Sequence, residues 1–308
     1  MRGAFVRTLV EIAAEDRRVV LLTGDLGYMA LDPFIERCPD RFFNVGVAEQ
    51  NMVGVATGLA EAGFIPFVYS IDPFAVLRPY EFIRNGPIAH RLPARIVGIG
   101  GGFEYGPQGQ SHHGLEDLAV MRIHPELTVV APADHLQTVT ALRATWDRPG
   151  PVYYRLGKDD RTTVPGLEGR FTLGRAECLR AGADVVLVTV GSVAVEAAAA
   201  VDTLVARGVD AGLLVVASLQ PAPVADLIAA LRRAPLCVTV EAHYFSGGLG
   251  SLVAEVIAEE QLACRLVRCG VRRGPDGVSG SQSWLHHSHG LSNAALVDAV
   301  LGARDRSV

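Results

Sequence analysis

Short, continuous apolar runs alternate along the first half of the chain with longer segments in which apolar residues recur at helical spacing. The runs are VVLLT (19–23), IPFVYS (65–70), ARIVGIG (94–100), LTVVAP (127–132) and VYYRL (152–156). The helical segments lie near residues 3–15, 47–62, 78–89 and 134–146. Because the runs are continuous rather than alternating, they predict strands that are buried on both faces. This order of strands and helices favours an open, mostly parallel sheet with helices on both sides.

A second series with the same rhythm follows in the other half of the chain. Its apolar runs are VVLVTV (185–190), AGLLVVA (211–217), LCVTV (236–240) and RLVRCG (265–270). Its helical segments lie near residues 193–207, 224–233, 248–259 and 291–302. The intervening residues 157–180 are charged and interrupted by Pro165, Gly166 and Gly169, which is typical of a linker. The sequence therefore predicts an α/β domain over 1–160, a linker over 161–180 and a second α/β domain over 181–308.

Composition excludes several classes of function. The 308 residues are 49% hydrophobic and carry a net charge of −5, so a basic surface for nucleic acid is not expected. The first residues contain acids and no long apolar block, which argues against a signal or transit peptide. No apolar run reaches the roughly 18 residues of a membrane-spanning helix. Five scattered cysteines without a C-x-x-C pair predict free thiols in the reducing cytoplasm.

The most informative stretch is FNVGVAEQNMVGVATGLAEAG, residues 43–63, in which an acid opens a helix of small residues. Each interior glycine, such as Gly54 and Gly58, costs a helix about 1 kcal/mol relative to alanine, so this face predicts close approach by a helix or a ligand. Glu49 in the first turn complements the helix dipole, which is one explanation for it. A buried carboxylate also needs a partner. Residues 1–157 contain no lysine, which leaves a ligand as a candidate.

This stretch resembles the pyrimidine-binding domain of transketolases and their relatives, which use thiamine diphosphate. The resemblance implies that Glu49 hydrogen-bonds the aminopyrimidine ring and so activates the thiazolium carbon, which attacks a carbonyl and acts as electron sink. In FAVLRPYEFIR (74–84), Phe74 corresponds to the ring that stacks on the pyrimidine, with core packing as the alternative. Tyr69 and Arg78 are further candidates for contacts with the cofactor.

The loop GPQGQSHHG (106–114) resembles the family segment that ends in Gly-x-Ser/Thr-His. It implies that His112 faces the substrate and hydrogen-bonds or moves a proton there, while His113 is the alternative and is expected to point away. A loop histidine bonded to the backbone is the other explanation of His112. Gln108 stands where sugar-phosphate transketolases have an aspartate that reads a donor hydroxyl, so hydroxyl selection is expected to differ.

Two arginines are candidates for binding substrate phosphate. Arg155 lies at the carboxyl end of a strand, where ligands of open α/β sheets gather and where relatives place such an arginine. Arg2 corresponds to a second phosphate contact. No metal ligand is expected in this chain, and the cluster HHSHG (286–290) lacks a carboxylate or thiolate at helical spacing.

The resemblance extends through the second half, in TVGS (189–192) and VEAHYFSGGLGS (240–251), to the family's C-terminal domain. The predicted fold is therefore two open, mostly parallel-sheet α/β domains, a thiamine-diphosphate pyrimidine-binding fold followed by a transketolase C-terminal-like domain. A glycine-rich turn such as SGGLG is also seen in nucleotide-binding loops, but here the resemblance implies a structural role.

A complete transketolase also carries a domain that grips the diphosphate through magnesium, with a Gly-Asp-Gly signature and a later asparagine. Gly24-Asp25-Leu26 and Asn44 lack the third glycine and the spacing. A separate subunit, loss of activity or a fragmentary chain would each explain this. The sequence predicts the first: a β-type subunit of a split transketolase, inactive alone. It would transfer a two-carbon ketol unit between sugars, sugar phosphates or related specialised-metabolism substrates.

The partner subunit is expected to hold the diphosphate and magnesium in an α₂β₂ heterotetramer. Two alternatives stay open. One is a carboligase that decarboxylates a 2-oxoacid, like deoxyxylulose-phosphate synthases or the β-subunits of 2-oxoacid dehydrogenases. The other is a non-catalytic scaffold subunit.

Overall fold

Strands and helices alternate along the whole chain in a computed structural model that describes residues 1–274 and 276–305. The strands are β1 (Val19–Thr23), β2 (Phe42–Asn44), β3 (Ile65–Ile71), β4 (Arg95–Ile99), β5 (Thr128–Val130), β6 (Val152–Leu156), β7 (Glu177–Arg180), β8 (Val185–Thr189), β9 (Ala211–Val215), β10 (Ser218–Gln220), β11 (Leu236–Tyr244) and β12 (Arg265–Val271). The helices are α1 (Arg2–Glu15), α2 (Asp32–Arg37), α3 (Glu49–Glu61), α4 (Asp72–Val76), α5 (Tyr80–Ile83), α6 (Asp117–Arg122), α7 (His135–Thr145), α8 (Ala194–Ala206), α9 (Val224–Leu231), α10 (Leu249–Glu259), α11 (Gln282–Ser288) and α12 (Asn293–Asp305). None of these helices is long and apolar enough to cross a membrane.

The first sheet has seven strands in the order β10-β5-β6-β4-β3-β1-β2. All of its pairs are parallel except that of β10 with β5. Helices α1 and α7 cover one face, where Phe5 and Leu142 pack against Leu21 and Phe67. The inner strands are buried along their length because the other face is covered as well.

The second sheet has five strands in the order β12-β11-β8-β9-β7. Its pairs are parallel apart from the edge strand β7, which runs antiparallel to β9. The two sheets share one apolar cluster, in which Val68 and Ile96 of the first sheet join Val188 and Leu214 of the second. The prediction of two mostly parallel α/β sheets is therefore confirmed.

Two connections differ from a simple series of separate sheets. Strand β10 lies beyond β9 in sequence but returns to the first sheet, where Ser218 pairs with Val130. The segment 161–180, expected to be a linker, contains β7 and places Val164 and Leu167 in a buried cluster with the second sheet. The chain thus crosses between the two sheets more than once.

The small-residue face of α3 points outward. A Cβ on Gly58 would meet no described atom within 4 Å, and one on Gly54 would meet only Phe82 at 3.9 Å. Met52, Val53, Ala56 and Ala60, on other sides of the helix, are buried. Within residues 1–274 and 276–305, the close approach expected at these glycines is therefore not made.

Candidate functional site

The carboxylate of Glu49 is held at the start of α3, inside the protein. The chain turns at Gly46, which has a φ of +74°, and the helix begins at Glu49. The Glu49 side chain is only 3% exposed. Its position in the first turn places the negative charge where the helix dipole is favourable. Ser70 Oγ, on β3, donates to Glu49 Oε1 at 3.4 Å.

The partner of Glu49 in this chain is an arginine. Arg78 Nη1 lies 3.0 Å from both carboxylate oxygens of Glu49. Because Arg78 is 45% exposed, one end of the ion pair reaches solvent while the other is buried. The sequence alone did not identify this pairing, because Arg78 lies in the separate segment that follows α4. A ligand at Glu49 thus competes with an ion pair of the chain itself.

The same arginine connects Glu49 to the other predicted residues. The guanidinium carbon of Arg78 lies 3.9 Å from the centre of the Phe74 ring, a cation–π contact. Phe74 in turn meets His112 edge to face, with ring centres 5.0 Å apart. The structure therefore brings Glu49, Arg78, Phe74 and His112 into one connected cluster, which we call the Glu49–His112 cluster.

His112 is poised as a neutral imidazole. Partial burial lowers its pKa, and the charge of Arg78 lowers it further. Its Nδ1 lies 3.0 Å from Ser111 Oγ. A neutral imidazole can donate from one ring nitrogen and accept at the other, so it can hydrogen-bond an oxygen of a substrate or transfer a proton.

A cationic rim borders the cluster at Tyr105. The Tyr105 ring centre lies 6.2 Å from that of His112 and 4.0 Å from Lys158 Nζ. Arg2, in the first turn of α1, hydrogen-bonds the Tyr105 side chain and lowers its pKa, against the larger opposite effect of burial. The exposed Gln108 lies three residues beyond Tyr105, and its backbone N–H donates to the Tyr105 carbonyl at 2.9 Å.

Lys158 was not predicted as a site residue. It lies two residues after the end of β6, and the chain has no lysine before it. Its position just beyond a parallel strand's carboxyl end is the signal that could have identified it. Partial burial lowers the pKa of its Nζ.

Arg155 lies in the interior, which corrects the prediction of a phosphate contact. Its Nε donates to Asp117 Oδ2 at 2.8 Å, and its Nη2 donates to the carbonyls of Gly114 and Ala242, each at 2.9 Å. The buried guanidinium therefore joins β6 to the loop after His113 and to β11 of the second sheet. The strand-end position is the expected one, but the second sheet covers it.

A buried acidic pair surrounds this arginine. Tyr153 donates to Asp72 and, at 2.8 Å, to Asp117 Oδ2. Burial is the main cause that raises the pKa of the Asp72 carboxyl, and the neighbouring Asp117 raises it further. These residues fix the packing between the sheets, because Arg155 and Tyr153 both need the carboxylates as acceptors.

Two other predicted residues point away from the Glu49–His112 cluster. Tyr69 stacks on Phe5 with ring centres 6.0 Å apart, among the residues under α1. Adjacent residues of a strand face opposite sides, so Tyr69 points away from Ser70 and Glu49. His113 is buried against Phe103, with ring centres 5.2 Å apart, and its Nε2 donates to the Gly106 carbonyl at 3.3 Å. Neither is placed to contact a ligand at the cluster.

The residues that most resemble a diphosphate site satisfy one another. Asn44 Oδ1 accepts from the Asp25 N–H, and Asn44 Nδ2 donates to Asp25 Oδ1, both at 3.0 Å. Asp25 itself has a positive φ of 57°. Asp25 and Asn44 therefore form a local turn whose side chains are already paired, and Leu26 follows where a metal–diphosphate loop would require glycine.

The glycine-rich turn of the second domain has a structural role. Glu241 accepts hydrogen bonds from the N–H groups of Leu249 and Gly250, at 2.7 and 2.8 Å, at the start of α10. A Cβ on Gly248 would lie 2.0 Å from Glu241 Oε2, so the turn leaves no room for a larger residue. The loop thus binds its own carboxylate.

Comparisons with known proteins agree with the resemblance in the sequence. Residues 1–162 match the transketolase pyrimidine binding domain, and residues 174–296 match the transketolase C-terminal domain. One of the two chains of an apulose-4-phosphate transketolase from Phocaeicola vulgatus is 34% identical over 307 residues, which are 97% of this chain and 96% of that protein. A 1-deoxy-D-xylulose-5-phosphate synthase of Syntrophotalea carbinolica is 35% identical over 303 residues, 97% of this chain but 47% of that protein.

A solved structure gives the same answer for the fold. It is described as a split-gene transketolase in an inactive β4 tetramer, and it superposes with a TM-score of 0.87 at 37% sequence identity. The superposition covers 98% of this chain and 97% of the solved one. Both halves of the chain, in the same order, thus match the domains of one enzyme family. This protein belongs to the transketolase family.

Proposed function

We propose that this chain is the β-type subunit of a two-subunit, thiamine diphosphate-dependent transketolase. It transfers a two-carbon ketol unit between sugar phosphates or related substrates, and it requires a second subunit for activity. The observation that carries the proposal is the buried Glu49 carboxylate at the start of α3, connected through Arg78 and Phe74 to His112. Proteins named as split transketolase chains match nearly the whole length of this one, which supports it.

The residues present fit one end of the cofactor. Glu49 is a buried acceptor that a heterocyclic N–H can satisfy, and Phe74 offers a ring face beside it. When bound, thiamine diphosphate supplies a nucleophilic carbon and an electron sink for the transferred unit. Arg78 now occupies both Glu49 oxygens, so a heterocycle that binds Glu49 requires the half-exposed Arg78 side chain to move toward solvent.

The other end of the cofactor does not fit this chain. Asp25 and Asn44 are paired with each other, which leaves no preformed diphosphate and magnesium site there. We therefore assign those groups to the partner subunit, in an α₂β₂ assembly in the cytoplasm. The description of a related β4 tetramer as inactive supports a requirement for the partner.

Substrate binding is assigned to the side chains around Tyr105. His112, favoured as the neutral imidazole, hydrogen-bonds a substrate oxygen or moves a proton to it. Lys158 and Arg2 provide positive charge at the rim for a phosphate or another anionic group. Arg155 does not contribute directly, because its donors are used in the interior.

Reconstitution tests the proposal. The chain would be co-purified with a candidate diphosphate-domain subunit, and ketol transfer from a ketose phosphate to an aldose phosphate would be measured with thiamine diphosphate and magnesium. The Glu49→Gln pair is expected to lose about 10²–10⁴-fold in kcat, the usual contribution of a positioned acid–base group. Glu61→Gln, an exposed acid at the end of the same helix, is the matched control and should retain wild-type activity. Equal turnover by the Glu49→Gln and wild-type pairs would overturn the proposal.

A second candidate is a carboligase that decarboxylates a 2-oxoacid. The similarity to a 1-deoxy-D-xylulose-5-phosphate synthase, at an identity close to that of the transketolase subunits, favours it. Release of carbon dioxide from pyruvate by the reconstituted pair, with an aldose phosphate as acceptor, would identify this activity. Ketol transfer without such release identifies the first candidate.

A further inference from the structure

A cavity lies between the two α/β domains, away from Glu49 and Arg78. It encloses about 650 Å³ and is lined from both sides of the interface. Glu104 and Asp159 come from the first half of the chain. Glu196, Ser283 and His286 come from the second. We call this space the interdomain cavity; no residue of the Glu49–His112 cluster lines it among the described residues.

The charged side chains of the interdomain cavity are mainly acidic. Hydrogen bonds, with that from Thr162 the largest cause, lower the pKa of Asp159 to about 2, so it is ionised. Glu196 Oε2 accepts from the Asn293 N–H at 2.7 Å. Within residues 1–274 and 276–305, no lysine or arginine lines the cavity. The Met1 amino group lines it too, and its charge is paired with Asp160 Oδ1 at 2.7 Å.

Glu104 adds a partly satisfied acceptor to the same wall. Ser192 Oγ donates to Glu104 Oε1 at 2.6 Å, across the interface between the domains. The backbone N–H of Lys158 donates to the other oxygen. Burial raises the Glu104 pKa, while these hydrogen bonds lower it. Glu104 therefore contributes acceptor capacity whether or not it is ionised.

An independent observation points to a ligand. His286, on α11, is 5% exposed and lines the cavity, yet its Nε2 has no hydrogen-bond partner within the part of the chain that the structure describes. Burial lowers the His286 pKa to about 4, so the imidazole is neutral near pH 7. A neutral ring with its proton on Nδ1 presents a lone pair at Nε2. An unpaired buried nitrogen is costly, and a ligand donor would remove that cost.

The size and the dispersal of the acids select the class of ligand. A bare metal ion needs several oxygen or nitrogen ligands within about 2.0–2.6 Å, which a cavity of this size does not supply. The described residues contain no group of three or more His, Cys, Asp or Glu side chains that could hold a metal. An anion would face Asp159 and Glu196 without a cationic side chain. A primary ammonium group offers three donors and one positive charge, which match the acceptors and the charge of this wall.

We propose that the interdomain cavity binds a small organic ammonium ion, with Asp159 and Glu196 as charge partners and His286 Nε2 as a hydrogen-bond acceptor. Because the ligand contacts residues of both halves, it stabilises their packed arrangement by mass action. The proposal does not depend on ketol transfer, since neither thiamine diphosphate nor the partner subunit contributes to this site.

Calorimetric titration of the purified full-length chain tests it, with 1,4-diaminobutane as the probe and 1,4-butanediol as a neutral control of the same length. The diamine is expected to bind saturably, and the diol is expected to give no saturable heat. Glu196→Gln and His286→Phe should each weaken diamine binding about tenfold, as the loss of one charge-assisted or buried hydrogen bond predicts. Circular dichroism of each variant establishes that it is folded before titration.

A steric variant keeps the test independent of the acids. Ser283 is exposed and lines the cavity, so Ser283→Trp should block entry and abolish binding. His287→Trp places the same ring on the same helix, at an exposed residue that does not line the cavity, and should bind like wild type. The proposal is overturned by equal binding of the diol, by unchanged binding to Ser283→Trp, or by no saturable diamine binding up to roughly 100 mM.

Discussion

Arg78 Nη1 lies 3.0 Å from each carboxylate oxygen of Glu49 and bridges them. Glu49 is buried at the start of α3, whereas Arg78 is half exposed. Removal of the arginine would leave a buried charge without its cation, which is more costly than the loss of an exposed ion pair. The pair therefore stabilises the fold of the isolated chain and also guards the carboxylate proposed to bind the cofactor.

We expect Arg78→Met to lower the free energy of unfolding of the isolated chain by about 1–2 kcal/mol, less than for a fully buried pair because Arg78 reaches solvent. Urea denaturation measures this. In the Glu49→Gln background the same substitution should cost about 0.5 kcal/mol or less, because no buried charge remains. Arg84→Met, at an exposed arginine bonded to Asn85, is the control and should be close to neutral. Equal losses in the two backgrounds would contradict a coupled pair.

Lys158 and Arg155 are separated by two residues but are expected to respond in opposite ways. In the reconstituted enzyme, Lys158→Met should raise KM for a phosphorylated substrate about tenfold, because one charge-assisted contact is lost. KM for the unphosphorylated sugar should stay the same, and so should the stability of the chain. Steady-state kinetics with both substrates measures the difference. Arg161→Met, at an exposed arginine of the same segment, is the control. A similar rise in KM for both substrates would remove the phosphate contact.

Arg155→Met should instead act on stability. Its guanidinium is the buried partner of Asp117 and joins Gly114 to Ala242 across the two sheets. Loss of one member of a buried pair typically costs about 3–5 kcal/mol. Urea denaturation of the isolated chain should show a loss of this order. A stable variant with a selectively raised KM for phosphorylated substrate would restore the original phosphate assignment.

The sequence predicted the strands well where burial on both faces produces continuous apolar runs. VVLLT and VYYRL, for example, are β1 and β6. It missed β10, because three residues before a proline carry no periodicity and the pairing with Val130 is a long-range contact. The linker was also drawn too simply, since Val164 and Leu167 are buried by elements distant in sequence.

The site was predictable only as far as local motifs define it. Glu49, Phe74, Arg78 and His112 lie in recognisable segments, and the structure brings them together. Arg155 has the expected place at the end of a strand, but sequence does not reveal that β11 covers it. Tyr69 differs from Ser70 only by strand face, which requires knowledge of the side on which α3 packs.

Glu241 predicts a pH dependence of stability that opposes the usual one for carboxylates. Burial raises its pKa from 4.5 to about 7, against the hydrogen bonds from Gly250 and Leu249. Between these two values the folded chain holds a proton that the unfolded chain releases. Stability from this group is therefore present below about pH 4.5, falls as the pH rises toward 7, and stays low above it.

We expect wild type to lose on the order of 2 kcal/mol more than Glu241→Gln as the pH is raised through this window. Urea denaturation at several pH values across the window measures the slope. The variant will be less stable overall, because its amide group cannot accept from both N–H groups, but the slope is independent of that offset. Glu259→Gln, at an exposed acid at the end of α10, should keep the wild-type slope. Identical slopes for Glu241→Gln and wild type would show that Glu241 ionises normally.

The open glycine face of α3 predicts opposite effects on the isolated chain and on the assembly. A Cβ on Gly58 meets no described atom within 4 Å, so Gly58→Ala should stabilise the isolated chain by about 0.5–1 kcal/mol, the difference in helix propensity. Gly302, inside α12, is equally open and should gain a similar amount on change to alanine. If the Gly58 face is reserved for close approach of a partner, Gly58→Trp should prevent co-purification with the diphosphate-domain subunit. Gly302→Trp should not, and size-exclusion chromatography of the two mixtures distinguishes them. Assembly of the Gly58→Trp chain as complete as that of wild type would show that the two glycines serve another purpose.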